Sequence, residues 1–315
     1  MKRLVIALAA MVSLMGTSSA ALAEWQPSGP IKLAIAFAAG GGADTISRQI
    51  ADELQKRKGW EIIPQQITGG GGAKLAAALK DEPNDGTTIG MVVTETYGYN
   101  MVANPKAGFS QADMTPITTV AAFQMGVVAK SDKGWKTFAD VVAAGKSGET
   151  LRFGTMSPKL ADLAFLIGEA NDVDFNIIEV KGGKAVMNGV NAGDMDLGFM
   201  AGIQRKGVAS GDLVNLASAM SVPLKQTPDA PVMADIGVKF NADGYFLFVG
   251  PAGMDDDARK AISEAIAEIV KDESTKAGGI IKKAFGGHAV INGPELDQLL
   301  VIEAASAESL MMAVQ

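Results

Sequence analysis

Apolar runs and amphipathic stretches alternate along nearly the whole chain. The apolar runs Ile31 to Phe37 and Thr88 to Val93 predict buried strands, and between them Ala43 to Arg57 carries apolar residues at helical spacing. On that helix Ile46, Ile50 and Leu54 share one face. Strands that alternate with helices are typical of α/β proteins. The pattern therefore predicts an α/β fold.

The same criteria predict elements in the rest of the chain. The further predicted strands are Trp60 to Gln66, Leu151 to Gly154, Phe175 to Val180, Asp196 to Met200 and Tyr245 to Val249. The further predicted helices are Ala73 to Lys80, Thr137 to Ala144 with Gly145 as its stop, Leu160 to Ala170, Lys184 to Asn191, one opened by Asp255-Asp256-Asp257, and one from Pro294 towards Met312.

The long apolar stretch Ile117 to Ala129 is a candidate crossing into a second domain, and the strand beginning at Tyr245 is a candidate return. A chain of 315 residues is long enough for two domains of ordinary size. We therefore predict a discontinuous first domain, residues 25–125 and 245–315, and a second domain, residues 126–244.

The N-terminus has the pattern of a secretory leader. Met1-Lys2-Arg3 is positive, Leu4 to Met15 is apolar, and Ala21-Leu22-Ala23 is a small-x-small cleavage pattern. The apolar part is shorter than the roughly 20 residues that span a bilayer. This predicts a signal peptide over residues 1–23 and a protein free in the periplasm, with an uncleaved anchor as the alternative.

Composition excludes several kinds of chemistry. The chain has no cysteine and a single histidine, His288, placed in a glycine-flanked turn before a predicted short strand. Disulfides, thiolate catalysis and zinc–thiolate sites are therefore excluded. Serine-hydrolase and nucleotide-binding signatures are missing, and a net charge of −7 without a basic patch argues against nucleic acid. We predict a protein that is not an enzyme, with no metal site and no cofactor.

Two glycine runs are the most informative motif. Gly40-Gly41-Gly42 follows one predicted strand, Gly69-Gly70-Gly71-Gly72 follows the next, and each precedes a predicted helix. A strand, a flexible turn and a helix present unpaired backbone N–H groups and the positive end of the helix dipole to an anion. The runs predict a clamp for one anion. The alternative is that the glycines only allow positive φ in two tight connections.

The residues around these runs resemble a known family. Phe37 to Thr45 resembles the first motif of the tripartite tricarboxylate transporter substrate-binding proteins, or Bug receptors, whose usual form is Phe-Ala-Pro-Gly-Gly-Gly-Ser-Asp. Gln66 to Gly72 falls on their Asn-Arg-Pro-Gly-Ala-Gly-Gly motif. Val180 to Asp196 and Phe248 to Met254 are similar to two later family segments. The resemblance covers essentially the whole chain after the leader.

The resemblance implies a periplasmic-binding-protein fold with two α/β domains and a ligand cleft between them. It also implies a receptor that captures a small carboxylate, of the di- or tricarboxylate type, and delivers it to a tripartite tricarboxylate-type membrane permease. In the family, the first two loops hold the carboxylate largely through backbone amides. The implied ligand-binding residues are Phe37, Ala38, Gly41, Gly42, Ala43, Asp44, Gly70, Gly71, Gly72, Ala73, Thr155, Ser157 and Phe199.

Several positions depart from the family pattern. Ala39 replaces the first-loop proline, Ala43 the usual serine, and Gln66-Ile67-Thr68 the Asn-Arg-Pro. These changes keep the backbone donors but alter side-chain contacts and therefore ligand identity. Two alternatives stay open: a receptor that presents its ligand to a sensor kinase, and a secreted hydrolase or isomerase with an unfamiliar site. We expect a monomer.

Overall fold

The structure is a computed structural model that describes residues 25–103 and 105–315, so the predicted signal peptide lies outside the described residues. The described strands are β1 (Ile31–Ile35), β2 (Ile62–Gln66), β3 (Thr88–Val93), β4 (Met114–Ala122), β5 (Met125–Lys130), β6 (Leu151–Thr155), β7 (Phe175–Glu179), β8 (Leu197–Ala201), β9 (Leu213–Ser218) and β10 (Tyr245–Pro251). The described α-helices are α1 (Gly42–Lys58), α2 (Ala73–Leu79), α3 (Thr94–Tyr97), α4 (Tyr99–Val102), α5 (Phe138–Lys146), α6 (Pro158–Asn171), α7 (Gly183–Ala192), α8 (Arg205–Ser210), α9 (Asp256–Lys271), α10 (Lys276–Phe285) and α11 (Gly293–Ala313).

The strands form two five-stranded sheets with the same internal plan. The first sheet has the order β2-β1-β3-β10-β4, in which β1 is parallel to β2 and β3 while β10 is antiparallel to β3 and β4. The second has the order β7-β6-β8-β5-β9, in which β6 is parallel to β7 and β8 while β5 is antiparallel to β8 and β9. The α/β fold predicted from the sequence is confirmed.

The chain passes between the sheets twice. The apolar stretch predicted as one strand-like run, Ile117 to Ala129, is two strands that separate at Phe123 and Gln124, so that β4 ends in the first sheet and β5 begins the second. After β9, the chain returns to the first sheet as β10. Helices α9, α10 and α11 then pack on β4. The domain limits proposed at residues 125 and 245 agree with this path and stay a prediction.

The helices bury the faces that their spacing predicts. In α1, Ile46, Ile50 and Leu54 are buried, and α9 buries Ile262 and Ile266 in the same way. The Asp255 carboxylate accepts a hydrogen bond from the backbone N–H of Ala258 at 2.9 Å and so caps α9. Among the described residues, no helix combines the length and apolarity needed to cross a bilayer.

Three local predictions were wrong or incomplete. Helix α5 continues through Gly145 to Lys146, because a glycine weakens a helix without ending it when the following turn stays helical. No strand follows His288; residues 289–292 form a loop that runs into α11. Helix α10 was missed because Gly278 and Gly279 dilute its helical pattern; Thr275 Oγ1 caps it by accepting from the N–H of Gly278 at 2.9 Å.

Candidate ligand-binding cleft

A cavity of about 520 Å³, including its open mouth, lies between the two sheets. Most of its lining residues lie at or just after the carboxyl ends of four parallel strands, where α/β proteins place their ligand sites. These strands are β1 and β3 of the first sheet and β6 and β8 of the second. The lining residues are Phe37, Ala38, Gly41, Gly42, Ala43, Val93, Glu95, Phe123, Met125, Met156, Leu160, Gly183, Ala201, Ile203 and Phe246.

The first glycine turn places the start of α1 at this cavity. Gly41 is the N-cap residue, without a side chain to cap the helix, and the first bond of α1 runs from the N–H of Thr45 to the carbonyl of Gly41 at 3.0 Å. The N–H groups of Gly42 and Ala43 lie in the first turn, where a helix offers no acceptor of its own. The positive end of the α1 dipole therefore borders the cavity.

Asp44, the next residue, is engaged inside the protein and does not line this cavity. Its carboxylate accepts from the N–H of Gly40 at 2.9 Å, from Arg48 Nε at 2.8 Å and from Gln66 Nε2 at 2.5 Å. Asp44 is only 4% exposed. It therefore fastens the first glycine turn to the end of β2, and a contact with ligand stays a prediction.

The second glycine run faces a neighbouring cavity of about 580 Å³, between the ends of the outer strands β2 and β7. Gly70 and Gly71 line it, and Phe37 and Met156 border both cavities. Gly72 and Ala73 are buried and line neither of the two. The two glycine turns thus lie on either side of the Phe37 and Met156 side chains.

Gly71 is closely surrounded by polar side chains. Its carbonyl accepts hydrogen bonds from Thr96 Oγ1 at 2.9 Å and from Asn100 Nδ2 at 3.0 Å. Its φ is +58°, and a Cβ placed there would lie 2.3 Å from Asn100 Nδ2 and 2.8 Å from Ser157 Cβ. No L side chain fits at this position, so the glycine is required for both its backbone conformation and its close contact with the turn after β6.

The three site residues predicted in the second sheet are all fully buried and line neither cavity. Ser157 Oγ accepts from the N–H of Leu160 at 3.4 Å and caps α6, and the Phe199 ring packs on Phe153 with centroids 4.8 Å apart. The Thr155 hydroxyl has no hydrogen-bond partner among the described residues. Met156, which lies between Thr155 and Ser157, points into the cavities instead.

The turns after β1 and β7 touch across the cleft. The N–H of Ala38 donates to the carbonyl of Lys181 at 3.0 Å. Gly182 has φ of +137°, and a Cβ there would lie 3.3 Å from the nitrogen of Ala38. The first glycine turn is therefore held by the second sheet as well as by its own.

Glu95 is the one ionisable residue in the described lining of the first cavity, and sequence reasoning missed it. It follows β3 by two residues and is 5% exposed. Burial raises the pKa of its carboxyl, against the opposing effects of the Lys159 charge and of the polar side chains of Ser157 and Asn100. Its place after a buried parallel strand was the signal that could have identified it.

A family model described as the tripartite tricarboxylate transporter family receptor matches residues 46–283 of this sequence. The chain belongs to this family. The family predicted from the glycine motifs is therefore confirmed.

Curated relatives of this receptor cover most of its length. A UPF0065 protein of Agrobacterium vitis is 28% identical over 259 residues, covering 78% of this chain and 72% of that protein. The protein BugT of Bordetella pertussis is 24% identical, covering 87% of this chain and 86% of that protein.

Solved structures share the receptor's fold at lower identity. The periplasmic binding protein BugD has a TM-score of 0.80 at 18% identity, covering 92% of this chain and 98% of its own. MatC from Rhodopseudomonas palustris, solved with bound malate, has a TM-score of 0.79 at 19% identity, covering 92% of this chain and 100% of its own. An R. palustris protein solved with adipate has a TM-score of 0.82 at 17% identity, with 92% and 98% covered. The predicted periplasmic-binding-protein fold is confirmed.

Asp196, a residue of the later family motif, is held by hydrogen bonds within the second sheet of this receptor and does not line the cavity. Its carboxylate accepts from the Arg152 backbone N–H at 2.9 Å, from Arg152 Nε at 2.9 Å and from Lys133 Nζ. Burial raises the pKa of this carboxyl, but the hydrogen bonds from Arg152 and Lys133 outweigh it and lower the pKa to about 2. The carboxylate thus ties β6 to the start of β8.

Replacing Asp196 by asparagine is expected to lower the free energy of unfolding at neutral pH by about 2 kcal/mol, since hydrogen bonds to a charged group are lost. The pKa of Asp196 is lower in the folded than in the unfolded protein. The wild type is therefore more stable than Asp196→Asn above pH ~4, and this difference in the free energy of unfolding disappears as the pH falls towards 2. Urea denaturation of both proteins between pH 7 and pH 2 measures this. Asp194→Asn, at an exposed position, is the control. A pH-independent difference would contradict the assignment.

Proposed function

We propose that this receptor binds a small carboxylate in the cavity between its two sheets and delivers it to a tripartite tricarboxylate-type permease. The observation that carries the proposal is the start of α1, where Gly41, Gly42 and Ala43 line that cavity. Backbone N–H groups at a helix N-terminus bind a carboxylate without a cationic side chain. Charge-assisted bonds of this kind contribute about 1.5–3 kcal/mol each.

The family and the fold relatives support the chemical class of the ligand. The matching family is one of transporter receptors, which fits a protein without catalytic activity. MatC was solved with malate and another R. palustris protein with adipate, and both ligands are carboxylates. The predicted leader and the fold shared with the periplasmic binding protein BugD support a periplasmic location. A hydrolase or isomerase would need convergent titratable side chains, whereas the described lining contains Glu95 alone.

A thermal-shift and calorimetry screen of mono- and dicarboxylates against their neutral amides tests this function. At a concentration one hundred times Kd, a carboxylate is expected to stabilise the folded protein by about 2.7 kcal/mol, and the amide is not. Gly42→Val is expected to weaken binding at least tenfold, because its Cβ would already lie 3.3 Å from the Phe285 ring and its methyl groups would crowd the first turn of α1.

The control variant is Gly29→Val, at a position with no heavy atom within 4 Å of an added Cβ and outside the cavity lining. It is expected to bind like the wild type. The proposal fails when no carboxylate stabilises the wild-type protein, or when Gly42→Val binds the best carboxylate as tightly as Gly29→Val does.

A further inference from the structure

The charges around the cavity do not suit a ligand with several carboxylates. The start of α1 offers one place for an anion, and the described lining contains no lysine, arginine or histidine. The one ionisable side chain there is the acid Glu95, which is 5% exposed. A second carboxylate on the ligand would enter a space without a cation and with an acidic group already in its wall. Like charges that share one cavity disfavour one another strongly when water is excluded.

Three aromatic rings line the same space. They belong to Phe37, Phe123 and Phe246, and the last two pack edge to face with centroids 5.1 Å apart. The face of an aromatic ring carries negative electrostatic potential and attracts a cation placed within about 6 Å of its centre. An acid among aromatic rings therefore complements a positively charged nitrogen.

Glu95 has no cationic partner at contact distance inside the protein. No ion pair within 4.0 Å joins it to a basic side chain of the described chain. Lys159, whose charge opposes the rise in the pKa of Glu95, donates instead to the carbonyl of Asp243 at 3.4 Å. Lys159 also acts on Glu303, whose pKa is raised by burial and by the charges of Glu95 and Asp243. The carboxyl of Glu95 is thus left to be neutralised by a proton or by a ligand.

We propose that the ligand is a monocarboxylate that carries an ammonium group, with its carboxylate at the start of α1 and its nitrogen beside Glu95 among the three rings. This inference rests on the proposed function, because it uses the same cavity and the same carboxylate site. It assigns Glu95 the role of the residue that determines specificity. A buried acid is costly without a counter-charge, and an ammonium ligand supplies that charge only on binding.

Calorimetry with matched probes tests this inference. The straight-chain probes are 5-aminopentanoate, pentanoate and glutarate, which differ only at the end remote from one carboxylate; the first two form one pair. Leucine and 4-methylpentanoate form a second pair, in which the amino compound carries its nitrogen beside the carboxylate. In at least one pair, the amino compound is expected to bind at least tenfold more tightly than the compound without nitrogen, and 5-aminopentanoate more tightly than glutarate. Glu95→Gln is expected to remove most of that preference, mainly by weakening the binding of the amino compound.

The control variant is Glu169→Gln, which removes an exposed acid on α6 away from the cavity lining. It is expected to keep the preference for the amino compound.

Tighter binding of glutarate than of 5-aminopentanoate would overturn the inference and leave the proposed function intact, since Glu95 would then act as a protonated donor. Equal affinities of the amino compound and the plain acid in both pairs would overturn it too. Failure of every carboxylate, malate and adipate included, would overturn the proposed function and the inference with it. The wild-type preferences decide the matter even when Glu95→Gln does not fold.

Discussion

Replacing Gly71 by alanine is expected to lower the affinity for carboxylate at least a hundredfold, the largest effect that we anticipate for any single methyl group in this receptor. The added Cβ would lie 2.3 Å from Asn100 Nδ2 and 2.8 Å from Ser157 Cβ. Asn100 is fully buried and donates to the carbonyl of Gly71 at 3.0 Å, so it has little room to retreat. Ser157 belongs to the turn after β6, on the second sheet.

Moving the two sheets apart relieves the contact with Ser157, whereas the contact with Asn100, on the same side of the cleft as Gly71, has to be relieved by a shift of the glycine turn itself. A separated cleft leaves the start of α1 open to water, and a carboxylate bound there loses the second wall of the cavity. A hundredfold loss of affinity corresponds to about 2.7 kcal/mol, which is the free energy by which the substitution destabilises the liganded state. The left-handed backbone at φ of +58° adds about 1–2 kcal/mol of strain for alanine, so the free energy of unfolding should fall as well.

Calorimetry with the best carboxylate and urea denaturation measure the two effects separately. Gly59→Ala is the matched control, because Gly59 has φ of +73° and no heavy atom within 4 Å of an added Cβ. It reproduces the backbone strain without the clash and without touching the cleft. We expect it to lose stability and keep its affinity. Gly71→Ala with an affinity within threefold of the wild type would show that the cleft does not need this contact.

Replacing Asp44 by alanine is expected to lower the free energy of unfolding by about 2–4 kcal/mol and to weaken carboxylate binding. Three donors lose their acceptor: the N–H of Gly40, the guanidinium of Arg48 and the amide of Gln66. These bonds are the direct tie between the first glycine turn and the end of β2. Without them, the turn that positions the N–H groups of Gly42 and Ala43 is free to change conformation.

Urea denaturation and calorimetry on the same samples check this prediction. Asp52→Ala is the control, because Asp52 lies on the same helix at an exposed position. Asp44→Asn should fall between the two, since an amide oxygen still accepts from a backbone N–H but no longer pairs with the charge of Arg48. Equal stabilities for Asp44→Ala and Asp52→Ala would refute the structural role of Asp44.

Sequence reasoning found the turns that border the cleft but not all of the side chains that enter it. Phe37, Ala38, Gly41, Gly42 and Ala43, which the family resemblance implied, line the main cavity, and their binding of a ligand stays a prediction. In the turn after β6, the prediction chose Thr155 and Ser157, whereas the structure turns Met156 into the cavity. Successive residues in an extended turn point to opposite sides, and the sequence does not say which side faces the ligand.

The amino-acid sequence by itself determined the α/β class, most strands and helices, the two glycine turns and the family. These depend on local causes: hydrophobic period, capping residues such as Asp255, and the backbone freedom of glycine. The tertiary structure alone decided that Ile117 to Ala129 divides between two sheets, and that Glu95 meets Phe123 and Phe246 in one cavity. Such contacts join residues that are distant in the chain, and they follow from how two sheets are placed against each other, which no local pattern encodes.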